Sequence, residues 1–339
     1  MSQKIKLSTI GDALGVSTAT VSLALRDSPL VAEETREKVK VYAREIGYIY
    51  NRRAASLRTQ RSGILGVIVR DIINPFYAEV LEAIETELDR SKLTFLLSNH
   101  YDNVEKQRDF LETLLQLGTD GVIMSPAIDT PAQDIELLRN NNVPVVFVAR
   151  SHPGMSAPVF RGDDAYGIGL ATNHLISLGH TDIAMIGGDD NTSTGRDRYN
   201  GYKQAMEKAG LKVREEWRIS GPRTKAEGFE VAPQFLALSA RPTAVVCWND
   251  LVAIGFMNGI ARAGLRAGTD ISVTGYDDLE EAQIATPALT TVSNGQAEVG
   301  RNAARALLDR IEKKKSISGT EHLIRPELRI RQSTNRPSE

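Results

Sequence analysis

The 339-residue chain has a single cysteine, Cys247, so it cannot form an internal disulfide and gives no sign of an oxidising compartment. Aromatic residues make up only 6% of it, and no apolar run approaches the ~20 residues that span a bilayer. The first ten residues, MSQKIKLSTI, hold no apolar segment long enough for a signal peptide, so a cytoplasmic location is expected. Catalytic signatures are missing as well. There is no GxxxxGK(S/T), HExxH or GxSxG, and no GxGxxG between a strand and a helix. His174 and His180 stand six residues apart and do not share a helix face. Cys247 lies in an apolar strand run, where it reads as core rather than nucleophile. No catalytic residue, metal or cofactor is expected.

What is present is the composition of a soluble globular protein, 41% apolar and 25% charged, long enough for two or three domains. Net charge is −2, but it is unevenly placed: up to Arg61 there are eleven Lys and Arg against six acids. The head therefore carries +5 and the remainder −7. A basic head on an acidic body suits a polyanion partner for the head alone. A solvated helical face would look the same, and charge by itself does not choose between them.

Helical spacing links Ile10, Ala13 and Leu14, then Val21, Ala24 and Leu25, then Thr35, Val39, Ala43 and Ile46. Only Gly15, Val16 and Ser17 separate the first two runs, and Ser17 is a natural N-cap. Two short helices across a tight glycine turn, braced by a third, form a helix-turn-helix pattern. The next segment, NRRAASLRTQR, has only Leu57 as a large apolar residue and reads as a linker. From Ser62 the chain alternates strands such as ILGVIV, GVIMS, VPVVFV, DIAMIG, AVVCW and ISVTGY with amphipathic helices. Such alternation gives parallel sheets covered on both faces. Two successive series predict two doubly wound lobes with a ligand cleft at the strand C-terminal ends.

The segments LSTIGDALGVSTATVSLALRDSP and VAEETREKVKVYAREIGYIYNRRAASLRT resemble the head of the lactose-repressor (LacI/GalR) family of bacterial transcription factors. NPFYAEVLEAIE, LISLGHTDIAMIGG, Arg198 to Tyr202, WNDLVAIGFM and VTGYDDLEEAQIATPALTTV resemble the family's effector core. The resemblance spans nearly the whole chain. It implies a helix-turn-helix head (1–50), a hinge helix (51–61) and a core (62–339) of the periplasmic-binding-protein type I fold. Lobe 1 would take about 62–162 and 292–322, and lobe 2 about 163–291 and 323–335. The function implied is a homodimeric repressor that binds near-palindromic operator DNA and is switched by a small molecule. No leucine heptad follows Ile330, so a dimer is expected rather than a tetramer.

Carried over by resemblance, the helix from Ser17 to Leu25 enters the major groove. Thr18 and Ala19 take the base-reading positions, and Thr20 and Ser22 the phosphates or groove edge. Leu23 stands where many relatives carry Arg, so readout would lean on thymine methyls. Ala32 replaces a Ser that often caps the third helix. In the hinge, beginning at Asn51, Ala54 and Leu57 match the small residue and the leucine wedge that enter the minor groove. For the effector, Phe76 and Tyr77 would stack on a ring, and Arg150 and Arg198 would fork onto hydroxyls. Asn249, Asp250 and Asp277 follow strand ends at the cleft. Ala149 replaces a frequent Asp, and Arg223 stands where relatives tend to have an aromatic cover. With Arg196 and Arg70, Arg223 would favour an anionic sugar acid or sugar phosphate, unless these arginines pair with Asp163, Asp164 or Asp189. Two other classes fit parts of the sequence. A periplasmic-type carrier is opposed by the basic head, and a sugar enzyme by the missing catalytic motifs.

Overall fold

The computed structural model describes residues 5–50, 61–91, 93–154, 157–312 and 321–338. The expected hinge residues Asn51, Ala54 and Leu57 lie outside them. The chain divides into two compact units, Met1–Ser62 and Gly63–Glu339.

The first unit is three helices: α1 (Leu7–Leu14), α2 (Thr18–Ala24) and α3 (Glu33–Glu45). Helix α1 stops at Gly15, whose φ of 65° is left-handed and free of strain only for glycine. Helix α2 starts where Ser17 Oγ accepts from the Thr20 amide at 3.0 Å. Helix α3 has no side-chain cap at Ala32, but Glu33 and Glu34 in its first turn complement the helix dipole. Ile10, Val21, Ala24, Val31, Val39 and Ala43 close a small core between the three. Gly11 lets α1 meet the turn closely, since a Cβ there would sit 2.6 Å from the Val16 carbonyl oxygen.

The second unit holds two parallel sheets. The first has the order β11-β5-β4-β3-β1-β2, from β1 (Ile64–Val69), β2 (Thr94–Asn99), β3 (Gly121–Met124), β4 (Val145–Val148), β5 (Val159–Gly162) and β11 (Glu321–Ile324). Helices α4 (Pro75–Asp89) and α12 (Gln296–Ile311) cover one face through Val80, Ile84, Leu88, Val299, Ala303 and Leu307. Helices α5 (Val104–Leu117) and α6 (Ala132–Asn140) cover the other through Leu111, Leu114, Ile135 and Leu138. The second sheet has the order β7-β6-β8-β9, from β6 (Ile183–Ile186), β7 (Arg218–Ile219), β8 (Ala244–Cys247) and β9 (Ser272–Thr274). Helices α7 (Asp164–Ser177) and α8 (Ser193–Lys208) lie on one face, and α9 (Lys225–Leu236) and α10 (Asp250–Arg262) on the other. Central strands of both sheets are apolar and buried along their length, as sheets covered on two sides require.

The short helix α11 (Glu280–Ile284) follows β9, and β10 (Thr291–Ser293) pairs antiparallel with β12 (Glu327–Arg329). The chain thus passes between the sheets after β5, after β10 and after β11. The whole of β11 pairs with β5, so the last passage falls after Ile324, two residues beyond the expected edge. The backbone amide of Asp277 also bonds the Val292 carbonyl, so β10 belongs with the second lobe and the middle passage falls near Asn294.

Strand β5, VFRG, was not anticipated, because Arg161 interrupts its apolar run. Helix α8 begins at Ser193 with a first turn, STGRD, that contains no apolar residue and is held by the Thr192 cap.

Candidate functional site

A cleft opens where the C-terminal ends of the two sheets face each other, with a cavity of about 40 Å³. That is far below the 300–1,000 Å³ typical of ligand sites. Much of the space between the lobes is taken up by their own polar side chains.

On the first-sheet side, the Asn74 side chain caps α4 by accepting from the Phe76 amide. The Phe76 and Tyr77 rings meet edge to face at 5.1 Å, and Tyr77 OH lies 3.1 Å from Ser125 Oγ. Ala149, at the end of β4, has a φ of 63°, an unusual conformation for alanine. It turns the chain so that Arg150 reaches Asp102 at 2.5 Å and the Pro126 carbonyl at 3.3 Å. Arg70, after β1, donates to the same carboxylate at 2.9 Å. These two guanidinium groups hold the Asp102 carboxyl at about 2, against the opposing effect of burial.

On the second-sheet side, Arg198 is the centre. Its Nε donates to Asp164 at 2.7 Å, Nη1 donates to the Trp248 carbonyl at 2.6 Å, and Nη2 lies 3.6 Å from Asp277. The guanidinium packs over the Tyr276 and Trp248 rings at 3.9 and 4.8 Å. Asp277 has a φ of 111°, accepts from Asn294 Nδ2 at 3.1 Å, and is pushed up to about 7 by burial despite Arg198. Asn249 caps α10 by accepting from the Val252 amide, and its Nδ2 donates to the Arg223 carbonyl. Arg161, from β5, pairs with Asp164, Asp197 and Glu321.

Of the eight residues expected at the effector site, Phe76, Tyr77, Arg150, Arg198, Arg223, Asn249 and Asp277 line this one cavity. Asp250 does not. It is buried behind it, accepting from the Leu279 amide and Thr291 Oγ1, and it holds the loop that carries Asp277. Arg223 does face the cleft, but its Nη1 lies 3.6 Å from Asp189 and 3.7 Å from Asp102, so its charge is already matched. Arg196 donates to the Asp190 carbonyl and lines a neighbouring cavity of about 340 Å³. Arg161, Asp164, Thr194, Trp248 and Asn294 also line the cleft and had not been assigned to it. The helix start at Ser193 is the signal for Thr194, since positions 194 and 198 share a helix face.

The histidines expected to be non-catalytic have structural bonds. His180 contacts Thr243, Ser272 and the Asn335 carbonyl, and His174 contacts Thr334. Among the described residues, no group of His, Cys, Asp or Glu is arranged to hold a metal ion, and no helix is long and apolar enough to cross a membrane.

In the head, Ser17, Thr18 and Ala19 are exposed at the start of α2, the end that a recognition helix turns to base edges. Thr20 and Ser22 are half-buried, and each is partnered: Thr20 Oγ1 lies 2.9 Å from Ser17 Oγ, and Ser22 Oγ 3.3 Å from Tyr50 OH. Leu23 packs against the head core.

Residues 6–51 match the profile of bacterial regulatory proteins of the lacI family, and residues 172–334 that of a periplasmic binding protein-like domain. The HTH-type transcriptional repressor PurR of Erwinia tasmaniensis is 36% identical over 310 residues, covering 90% of each chain. That of Photobacterium profundum is 33% identical, covering 94% of this chain and 95% of its own. The chain belongs to the LacI family of bacterial regulatory proteins. It is a DNA-binding transcriptional repressor with an effector-binding core, not an enzyme. Its fold matches the lac repressor dimer bound to operator and the anti-inducer ONPF, with a TM-score of 0.85, 28% identity, and coverage of 98% and 100% of the two chains. The complex of the transcriptional regulator CelR with cellobiose gives a TM-score of 0.73 at 27% identity, covering 97% and 99%.

Proposed function

We propose that this LacI-family repressor binds a near-palindromic operator as a homodimer and is switched by a small sugar-like effector held between its lobes. The observation that carries the effector reading is the convergence of seven side chains, from both sheets, on one cleft. Aromatic rings beside guanidinium forks and carboxylates suit a ring with an apolar face and hydroxyl edges. Solved relatives of this architecture hold cellobiose and, in a LacI-family regulator of Enterococcus faecium 28% identical to this chain, ribose. A ligand that prefers the closed lobes shifts the population toward them, and that difference in affinity is the source of the switch.

On the DNA side, Thr18 and Ala19 would read bases, with Ser17, Thr20, Ser22 and Asn51 on the backbone and Ala54 and Leu57 in the minor groove. The test is a gel shift on DNA upstream of the protein's own gene, with and without sugars, sugar acids and sugar phosphates. Removing residues 1–60 should abolish the shift. Arg198→Ala should abolish any effect of the active compound while leaving DNA binding intact. An unchanged response to the compound in Arg198→Ala would move the effector out of this cleft.

A further inference from the structure

The charge of the effector turns on how the cleft arginines are partnered. Arg70, Arg150, Arg161, Arg198 and Arg223 all line the cleft, which at first sight calls for an anion. Each of them already faces a carboxylate. Asp102 serves three of them. It sits in the turn after β2, where Tyr101 and Asp102 both take left-handed φ values of 50° and 63°. One oxygen accepts from Arg150 at 2.5 Å and from the Ile128 amide at 3.2 Å. The other accepts from Arg70 at 2.9 Å and lies 3.4 Å from Arg150 Nη2 and 3.7 Å from Arg223 Nη1. Arg70 and Arg150 come from the first-sheet side and Arg223 from the second, so the carboxylate stands at the meeting of the two lobes.

The groups left without a partner tell the rest. Arg161 Nε, Trp248 Nε1 and Asn294 Oδ1 are buried without a hydrogen-bond partner, and all three residues line the cleft. They are two donors and one acceptor, a set that hydroxyls satisfy because each can give and take a bond. A second anion would meet fixed carboxylates and carry an uncompensated negative charge into a closed site.

We propose that Asp102 is a built-in counter-anion that makes the cleft select an uncharged, hydroxyl-bearing effector and turn away carboxylates and phosphates. The proposal rests on the reading of this cleft as the effector site. It speaks against the anionic ligand that Arg223 suggested in the sequence, because Arg70, Arg150 and Arg223 already share the Asp102 carboxylate.

The experiment needs no knowledge of the natural effector. Inorganic phosphate is added to the full-length protein at pH 7, with chloride at matched ionic strength as the control, and the melting temperature of the core is read. Phosphate stabilises folded proteins weakly by exclusion, so each variant is compared with wild type in the same buffer. Wild type should show only that weak rise. Asp102→Asn should show an additional rise of about 3 °C at ten times its phosphate dissociation constant. Adding Arg223→Gln should remove it. If Asp102→Asn is destabilised, phosphate should restore its melting temperature where chloride does not. Two outcomes overturn the proposal: a folded Asp102→Asn with no specific phosphate response, or a wild-type rise that Arg223→Gln abolishes. The wild-type arm decides even if Asp102→Asn does not fold. Either failure leaves the cleft assignment standing, because that depends on the Arg198→Ala gel shift.

Discussion

Asp277 offers a quantitative check on the closed cleft. Its carboxyl is fully enclosed and pushed up from 3.8 to about 7, chiefly by burial. Arg198 opposes the rise, while Asp164 and Glu79 add to it, and Asn294 donates to the ionised form. Between pH 4 and pH 7 the folded protein therefore holds one proton that the unfolded chain has lost. Stability must fall as pH rises through that window, by about 1.4 kcal/mol per unit and about 4 kcal/mol in all. Above pH 7 this contribution is constant. Asp277→Asn keeps the shape, tolerates the positive φ and removes the titration. Other groups, Asp250 among them, are also displaced, so the useful quantity is the difference between variant and wild type. Urea unfolding at pH 4, 5, 6, 7 and 8 should show the variant gaining on wild type by about 4 kcal/mol across the series. A difference constant to within about 1 kcal/mol would refute the idea that Asp277 is held in a desolvated site.

Ser17→Ala should cost the head about 1 kcal/mol through loss of the α2 cap, and Ala32→Ser should gain a similar amount at α3, both measurable by thermal unfolding of the head. Leu57→Ala should weaken operator binding far more than binding to random DNA; equal losses on both would remove the wedge assignment. Operator affinity should fall steeply with salt, because Arg52, Arg53, Arg58 and the head lysines would displace counterions, and a log–log slope near zero would contradict a phosphate-dominated interface. Substitutions at Thr18 and Ala19 should change the preferred sequence in a selection experiment while leaving that slope unchanged.

The strands and most helices were legible because their residues speak locally. ILGVIV and AVVC are buried runs, and Val80, Ile84 and Leu88 mark a helix face at its own spacing. Seven of the eight expected effector residues meet at one cavity for a related reason: strand ends in parallel sheets point to a common edge. What the sequence hid was set by partners far along the chain. Arg161 sits in a buried strand because Asp197 and Glu321, from 36 and 160 residues away, join the nearby Asp164 around it. Asp102 looks like an ordinary turn aspartate until Arg70, Arg150 and Arg223 are brought around it. The excess of arginine in the cleft was visible, whereas its neutralisation was a property of the fold alone.

The three passages between the sheets are stitched to one another. The Asp163 amide bonds the Ile324 carbonyl at 2.9 Å, and Gly162 leaves just enough room for Asn294, whose Cβ would lie 2.9 Å from any side chain placed there. Three short straps side by side resist torsion but flex together, as the leaves of a door do. Asn294, which lines the cleft and whose buried Oδ1 has no hydrogen-bond partner, is set in the middle strap. A ligand that shifts Asn294 by a fraction of an ångström therefore acts at the fulcrum, and the far ends of the lobes travel further in proportion to their distance from it. A small displacement near the axle becomes a large one at the rim.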